Sequence, residues 1–169
     1  MVEIILPNFQ CTSQSITAAQ NGNYYELTTG SQAITDANGY LALQLTNPAG
    51  SGKTVYINTV QATSSVATII STYKNATLNI TGTPAIPHNT NWAYSDASVV
   101  TGRWVAQTSD PTSGGVLLQQ INQIGGATEY NLEGLRVIPS LTTNQTYYIL
   151  LQNTAANSNL SINVEWWES

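Results

Sequence analysis

The chain has 169 residues with 4 basic and 9 acidic side chains, a net charge of −5 and only 8% charged positions, so its polar surface is mostly Thr, Asn, Ser and Gln. Four basic residues placed singly, Lys53, Lys74, Arg103 and Arg136, cannot neutralise a run of phosphates, which argues against nucleic-acid binding. A 41% apolar fraction, with 4 Trp and 9 Tyr spread along the length, can build the core of one folded domain and sets the chain apart from a disordered polar tract.

From the N-terminus, Met1 to Leu6 ahead of Pro7 has no positively charged start and too few apolar residues for a signal peptide or a membrane span. Neither export by a cleaved leader nor membrane insertion is expected. Residues 1–22 read as an N-terminal arm: an apolar strand candidate, Val2 to Leu6, then a polar segment containing Cys11. As the only cysteine, Cys11 can form no intrachain disulfide and is either an inert thiol or one half of an intermolecular bridge.

Residues 23–169 read as a single β-domain. Runs rich in β-branched, aromatic and leucine residues recur between Asn, Gly, Pro and Ser: Tyr40 to Thr46, Thr54 to Gln61, Ala67 to Thr72, Ala76 to Thr81, Ser98 to Gln107, Gly115 to Ile124, Glu133 to Ile138, Gln145 to Gln152 and Asn159 to Trp167. The last two runs read as alternating. In the closing one Leu160, Ile162, Val164 and Trp166 share one face, as a half-buried strand requires. Turn chemistry falls at Asn38-Gly39, Lys74-Asn75, Asp110 to Gly115 and Gly125-Gly126. Gly82 to Ala97 reads as a long irregular excursion across one end of the molecule. The strand count predicts an all-β fold: an antiparallel two-sheet sandwich, jelly-roll-like, with an N-terminal arm; an immunoglobulin-like sandwich is the second choice.

Motifs that suggest chemistry fail on inspection. Asn47-Pro48-Ala49-Gly50-Ser51-Gly52-Lys53-Thr54 imitates a phosphate-binding loop, yet Asn47 stands where glycine is needed, and the strand-like Val55 to Val60 follows where a helix must. It reads as a hairpin connection. His88 is the only imidazole and no Gly-x-Ser-x-Gly stretch presents a serine, so nucleophilic catalysis would need an improbable Cys11–His88 dyad. One His and one Cys make no zinc site, and Asp36-Ala37-Asn38-Gly39 reads as a hairpin turn, not a calcium loop. Carboxylate pairs among Asp96, Asp110, Glu129 and Glu133 are the only opening left for glycoside hydrolysis. Sequons such as Asn75-Ala76-Thr77 are expected by chance at this Asn and Thr content. No cofactor and no metal are expected.

The aromatic residues carry the remaining information. The adjacent pairs Trp166-Trp167, Tyr147-Tyr148 and Tyr24-Tyr25 put one ring on each face of a strand, so one ring of each pair is expected to leave the core. Such rings suit a subunit interface or a sugar platform, the latter formed by Trp92, Tyr94 and Trp104. A surface with little charge repulsion and an arm with no hairpin partner favour contact between copies of the chain, with Val2, Ile4, Ile5, Leu6, Trp166 and Trp167 as the expected assembly residues.

Asn47 to Ile57 and the closing strand Ser161-Ile162-Asn163-Val164-Glu165-Trp166-Trp167-Glu168 together resemble small β-sandwich structural proteins of tailed bacteriophages and of some Gram-positive bacteria. The resemblance covers about a fifth of the chain and implies a structural role: a capsid decoration or fibre on a virion, with a major capsid or tail protein as a further partner, or the unit of an extracellular filament such as an endospore appendage. Cys11 looks similar to the N-terminal cross-linking cysteines of such appendages, but alone it permits at most one link per chain. The expectation is a non-enzymatic subunit that assembles with itself at a virion or extracellular surface; the alternative is a carbohydrate-binding sandwich.

Overall fold

The computed structural model describes residues 13–124 and 128–169, with the backbone alone along 128–135. Among the described residues a single helix, α1 (Gln14–Gln20), precedes β1 (Tyr24–Thr28), β2 (Gln32–Ile34), β3 (Tyr40–Asn47), β4 (Val55–Ser64), β5 (Thr68–Lys74), β6 (Thr77–Leu78) and β7 (Thr83–Ala85). Then come β8 (His88–Asn89), β9 (Thr101–Gln107), β10 (Thr112–Ser113), β11 (Val116–Gln123), β12 (Thr128–Ile138), β13 (Gln145–Asn153) and β14 (Ser158–Glu168).

Two antiparallel sheets hold all of these strands except β6 and β10, which pair with each other. Sheet A runs β12-β4-β14-β1-β8, with β2 also on β14; sheet B runs β11-β5-β13-β3-β9-β7. If the short strands and β9, which belongs to the segment inserted between β5 and β11, are set aside, each sheet alternates an early strand with a late one: β1, β14, β4, β12 in sheet A and β3, β13, β5, β11 in sheet B. Two Greek keys wound into a jelly roll produce that interleaving, so the predicted all-β jelly-roll-like sandwich is the fold.

The core lies between the sheets. Leu41, Leu43 and Leu45 of β3 and Ile149 and Leu151 of β13 face Ile57, Val60 and Ala62 of β4 and Leu160, Ile162, Val164 and Trp166 of β14. The alternation read in the closing run is therefore the core face of β14. In β13 it fails, because Tyr148 and Leu150 are buried on the outer face of sheet B with Ala42 and Ala76, flanked by Tyr73 and Leu78. Residues 75–115, inserted between β5 and β11, fold over this face: β6 and β10 form a two-stranded ribbon, and the Leu78 amide donates to Gln44 Oε1 at 2.8 Å. A central strand covered on both sides loses the period of two and becomes continuously apolar. The excursion 82–97 begins as β7 on the edge of sheet B and crosses to sheet A as β8, as its irregular composition predicts.

Among the described residues no strand pairs with its neighbour in sequence, which corrects the hairpin readings. Asp36 to Gly39 and Asn47 to Thr54 each carry the chain from sheet A to sheet B or back. Asn47, 1% exposed, organises the second crossing: its Nδ2 donates to Lys53 O at 2.9 Å and Ile138 O at 3.0 Å, and its Oδ1 accepts from Ser51 Oγ at 2.7 Å. The loop amides are spent inside the protein as well. Ala49 N donates to Asn144 Oδ1, Gly50 N to Leu141 O, Gly52 N to Ser140 Oγ and Thr54 N to Ser169 O. A phosphate-binding loop keeps such groups for its anion, so this geometry gives the rejection of nucleotide binding its physical basis. Replacing Asn47 by alanine strips two carbonyls and a hydroxyl of their partner; Asn47→Ala should cost about 1–3 kcal/mol in urea unfolding while leaving the cooperativity of the transition unchanged.

Candidate functional site

The outer face of sheet A carries a polar groove near its β8 edge. Along β1, Tyr24, Glu26 and Thr28 point outward while Tyr25 and Leu27 enter the core. Glu26 stands opposite Glu165 of β14 on one side and His88 of β8 on the other, so pairing register alone sets three titratable residues in a row. The groove continues over Thr28, Gln61 and Asn163 in one direction and over Asn89, Trp92, Tyr94 and Asp96 in the other.

Hydrogen bonds assign these groups different tasks. Glu165 Oε2 accepts from the Tyr24 hydroxyl at 2.8 Å, and that hydroxyl accepts in turn from Asn58 Nδ2 at 2.9 Å. Burial, then the Glu165 carboxylate, pushes the Tyr24 phenol above its ordinary range, so it remains a donor. Asp96 is also engaged: Oδ1 accepts from the Asn89 amide at 2.6 Å and Oδ2 lies 3.2 Å from His88 Nδ1. The Asn89 amide first and His88 second hold the Asp96 carboxyl below its ordinary value.

Trp92 and Tyr94 stand on a tight turn, closed by Tyr94 N donating to Asn91 O at 3.0 Å. The turn is braced from beneath. Asn89 Nδ2 donates to Gly22 O at 2.7 Å, Asn91 N donates to Asn89 Oδ1 at 2.9 Å, and Asn91 Nδ2 reaches Ala19 O at 3.1 Å. The ring of Tyr94 lies across Gly22, where an added Cβ would meet ring carbons 2.2 Å away; the φ of +70° at Gly22 is a second reason for glycine there. Trp92 is left 95% exposed on this rigid platform.

Other expected site residues sit elsewhere. Trp104, on β9, is partly buried against the core and does not join Trp92 and Tyr94, which corrects the expected three-ring sugar platform. Asp110 caps the turn into β10 by accepting from Thr112 N at 2.8 Å, and Glu129 and Glu133 lie on β12, where only backbone is described. One ring of each adjacent pair does leave the inter-sheet core, but the expectation that it is left for a sugar or a neighbouring subunit is corrected. Tyr24, Tyr25, Tyr147, Tyr148, Trp166 and Trp167 are all buried within their own chain. Trp166 packs beside Tyr25 with centroids 6.0 Å apart, and Trp167 stacks on Tyr56 at 5.1 Å and 6°. Neither tryptophan is therefore an exposed ring awaiting a neighbour.

Val2, Ile4, Ile5, Leu6 and Cys11 lie outside the described residues. The later part of the expected arm is helical. Ser13 accepts from Ile16 N to start α1, and Gly22 N and Asn23 N bond back to Ala19 O and Ala18 O to end it. Ser13 and the Asn21-Gly22 step were the available signals for this helix. It lies beside Trp167 and Tyr56, which share a cleft with Gln14, Thr17, Ala18 and Asn21.

A second surface lies at the opposite edge of each sheet. β11 is the outer strand of sheet B, its sequence VLLQQINQ holds no charge or proline, and Val116, Leu117 and Leu118 are 63%, 49% and 45% exposed. Leu118 shares a groove with Val137, Pro139 and Leu141 from the end of β12 and the loop beyond it, and Lys74 and Arg136 line the same groove. Among the described residues no group of three or more His, Cys, Asp or Glu side chains is placed to hold a metal ion, and no helix is long and apolar enough to cross a membrane.

Comparison of the chain with models of known families, with curated proteins and with solved structures finds no match.

The bracing of the Trp92 turn is acid-sensitive with a defined sign. Because the folded state holds the Asp96 carboxyl below its ordinary value of 3.8, its stabilisation is complete above that pH and is lost as pH falls through the lower folded value. In an acid titration followed by NMR, the Asn89 amide resonance should keep its position through the ordinary aspartate range and shift only below it; Asp96→Asn should abolish the transition.

Proposed function

We propose that the chain is a non-enzymatic structural subunit that assembles with copies of itself. The observation that carries this reading is β11. Soluble β-proteins protect long edge strands with charge, proline or a covering segment, because bare amides and carbonyls recruit further strands. On β11 the only such device among the described residues is a bulge between Leu117 and Gln119, and the strand keeps exposed apolar side chains. With only 8% of residues charged, the surface sets up little repulsion between copies.

The occupant that fits is the N-terminal arm of a second copy. Val2, Ile4, Ile5 and Leu6 form an apolar segment matched to Val116, Leu117 and Leu118, and residues 1–12 fully extended span roughly 40 Å. Trp166 and Trp167 have no part in this interface, since Trp166 is buried between the sheets and Trp167 is covered by Tyr56 and α1. The resemblance in the Asn47 to Ile57 turn and in the closing strand supports a setting on a virion surface, as decoration or fibre beside a capsid or tail protein, or in an extracellular filament. A Cys11 to Cys11 bridge between arms would then reinforce the assembly without creating it.

Sedimentation velocity across a concentration series tests the reading. The full chain should form concentration-dependent multimers, with and without reductant. Leu117→Lys, which puts a charge on the exposed edge, and deletion of residues 1–10, which spares α1, should each leave a folded monomer. A full chain that stays monomeric at high concentration, or variants that assemble as it does, would overturn the proposal.

A further inference from the structure

The geometry of the β8-side groove points to a function independent of assembly: we infer that it binds a neutral carbohydrate, with a pyranose ring stacked on Trp92. Three observations converge. First, Trp92 is 95% exposed, yet its turn is fixed by the Asn89 and Asn91 side chains and by the backbone of residues 19–22. An exposed indole forgoes the favourable burial of a large apolar ring, and the braced turn holds it outward. A rigid platform of this kind loses little conformational entropy when something stacks on it.

Second, the groove beside it offers uncommitted polar groups of mixed character. Glu26, Gln61 and Asn163 line it and make no side-chain hydrogen bond among the described residues, whereas Glu165 and Asp96 are already engaged by Tyr24, His88 and the Asn89 amide. A carboxylate that only accepts and two amides that both donate and accept match a run of sugar hydroxyls. A simple cation would use the acceptors and leave the amide donors without partners. Third, no Lys or Arg lines the groove, while Glu26, Asp96 and Glu165 do. Uronic acids, sialic acids and phosphorylated sugars would meet like charge there.

The two halves of the groove share Glu26 and His88, so one continuous surface crosses β8, β1, β14 and β4. At ~4.8 Å per strand step this is roughly 14 Å, enough for a short oligosaccharide. Trp92 holds one end, and Gln61 and Asn163 the other.

Isothermal titration calorimetry on Leu117→Lys protein, monomeric if the assembly reading holds, keeps the two proposals separable. The β11 edge lies away from the groove, so failure of one leaves the other standing. The probes are neutral hexasaccharides (cello-, laminari-, xylo-, manno- and maltohexaose), with spermidine as a cation and tri-galacturonic acid as an anion. At least one neutral hexasaccharide should bind saturably. Trp92→Ala should weaken it by about tenfold or more, and Glu26→Gln by less, with far-ultraviolet circular dichroism unchanged in both. No saturable binding by any neutral probe, binding of spermidine or tri-galacturonic acid alone, or full affinity retained in Trp92→Ala would each overturn the inference.

Discussion

The structure depends on β14 as the seam of sheet A. The closing strand pairs with β1 and β2 from the start of the domain and with β4, which in turn carries β12. Until residues 158–168 are in place, β2 has no partner in sheet A and β1 has only the two-residue β8. Every pairing in the two main sheets joins strands separated in sequence, so loop closure must precede almost all of the hydrogen bonding. Folding of such a topology is slow and strongly cooperative. The same strand contributes Leu160, Ile162, Val164 and Trp166 to the core, which ties sheet formation and burial into one event.

Crossings between sheets, with no hairpins to shorten them, leave many backbone groups at the corners without ladder partners. Buried side-chain amides and a carboxylate satisfy them. Asn47 joins the β3–β4 crossing to the end of β12, Asn153 donates to Asp36 O and Ala155 O across the β2–β3 and β13–β14 corners, and Asn89 grips Gly22 O. Glu168 accepts from Trp166 Nε1, Ser98 Oγ and the Val99 amide, locking the insertion to the end of the closing strand. An unsatisfied buried carbonyl costs more than a surface bond returns, so this work explains an Asn- and Ser-rich composition better than solubility does.

How much of this was legible depended on whether a residue's neighbours were local. The closing strand was readable because solvent on one side preserves alternation, and so was the sandwich class. β13 was misread because the insertion covers its outer face, a fact held by residues 75–115 and invisible in Tyr147 to Leu151 themselves. The same physics hid the fate of the aromatic pairs. Period-two reasoning correctly put Trp167 outside the inter-sheet core, but Tyr56 on the adjacent strand and α1 bury it there. The turns at Asn38-Gly39 and Asn47 to Thr54 were located correctly and typed wrongly, since local turn chemistry does not say which sheet the next strand joins, and Gly125-Gly126 lies outside the described residues. Of the groove, Trp92 and Tyr94 stood out in sequence, whereas Glu26 and Glu165 became a pair only through register.

The two exposed features differ in kind, and the difference bears on how they could serve one molecule. β11 is a sheet-edge strand without charge or proline, generic in chemistry and specific only through side-chain match, which suits repeated contact between identical copies. The groove is built in the reverse way. Its ring is held outward by a braced turn, and its free groups are side chains of mixed donor and acceptor character. With β11 on one edge and β8 on the other, strand addition at the first leaves the second open. An array grown through β11 would therefore display one groove per subunit, and many weak sites on one object bind a surface far more tightly than any single site does.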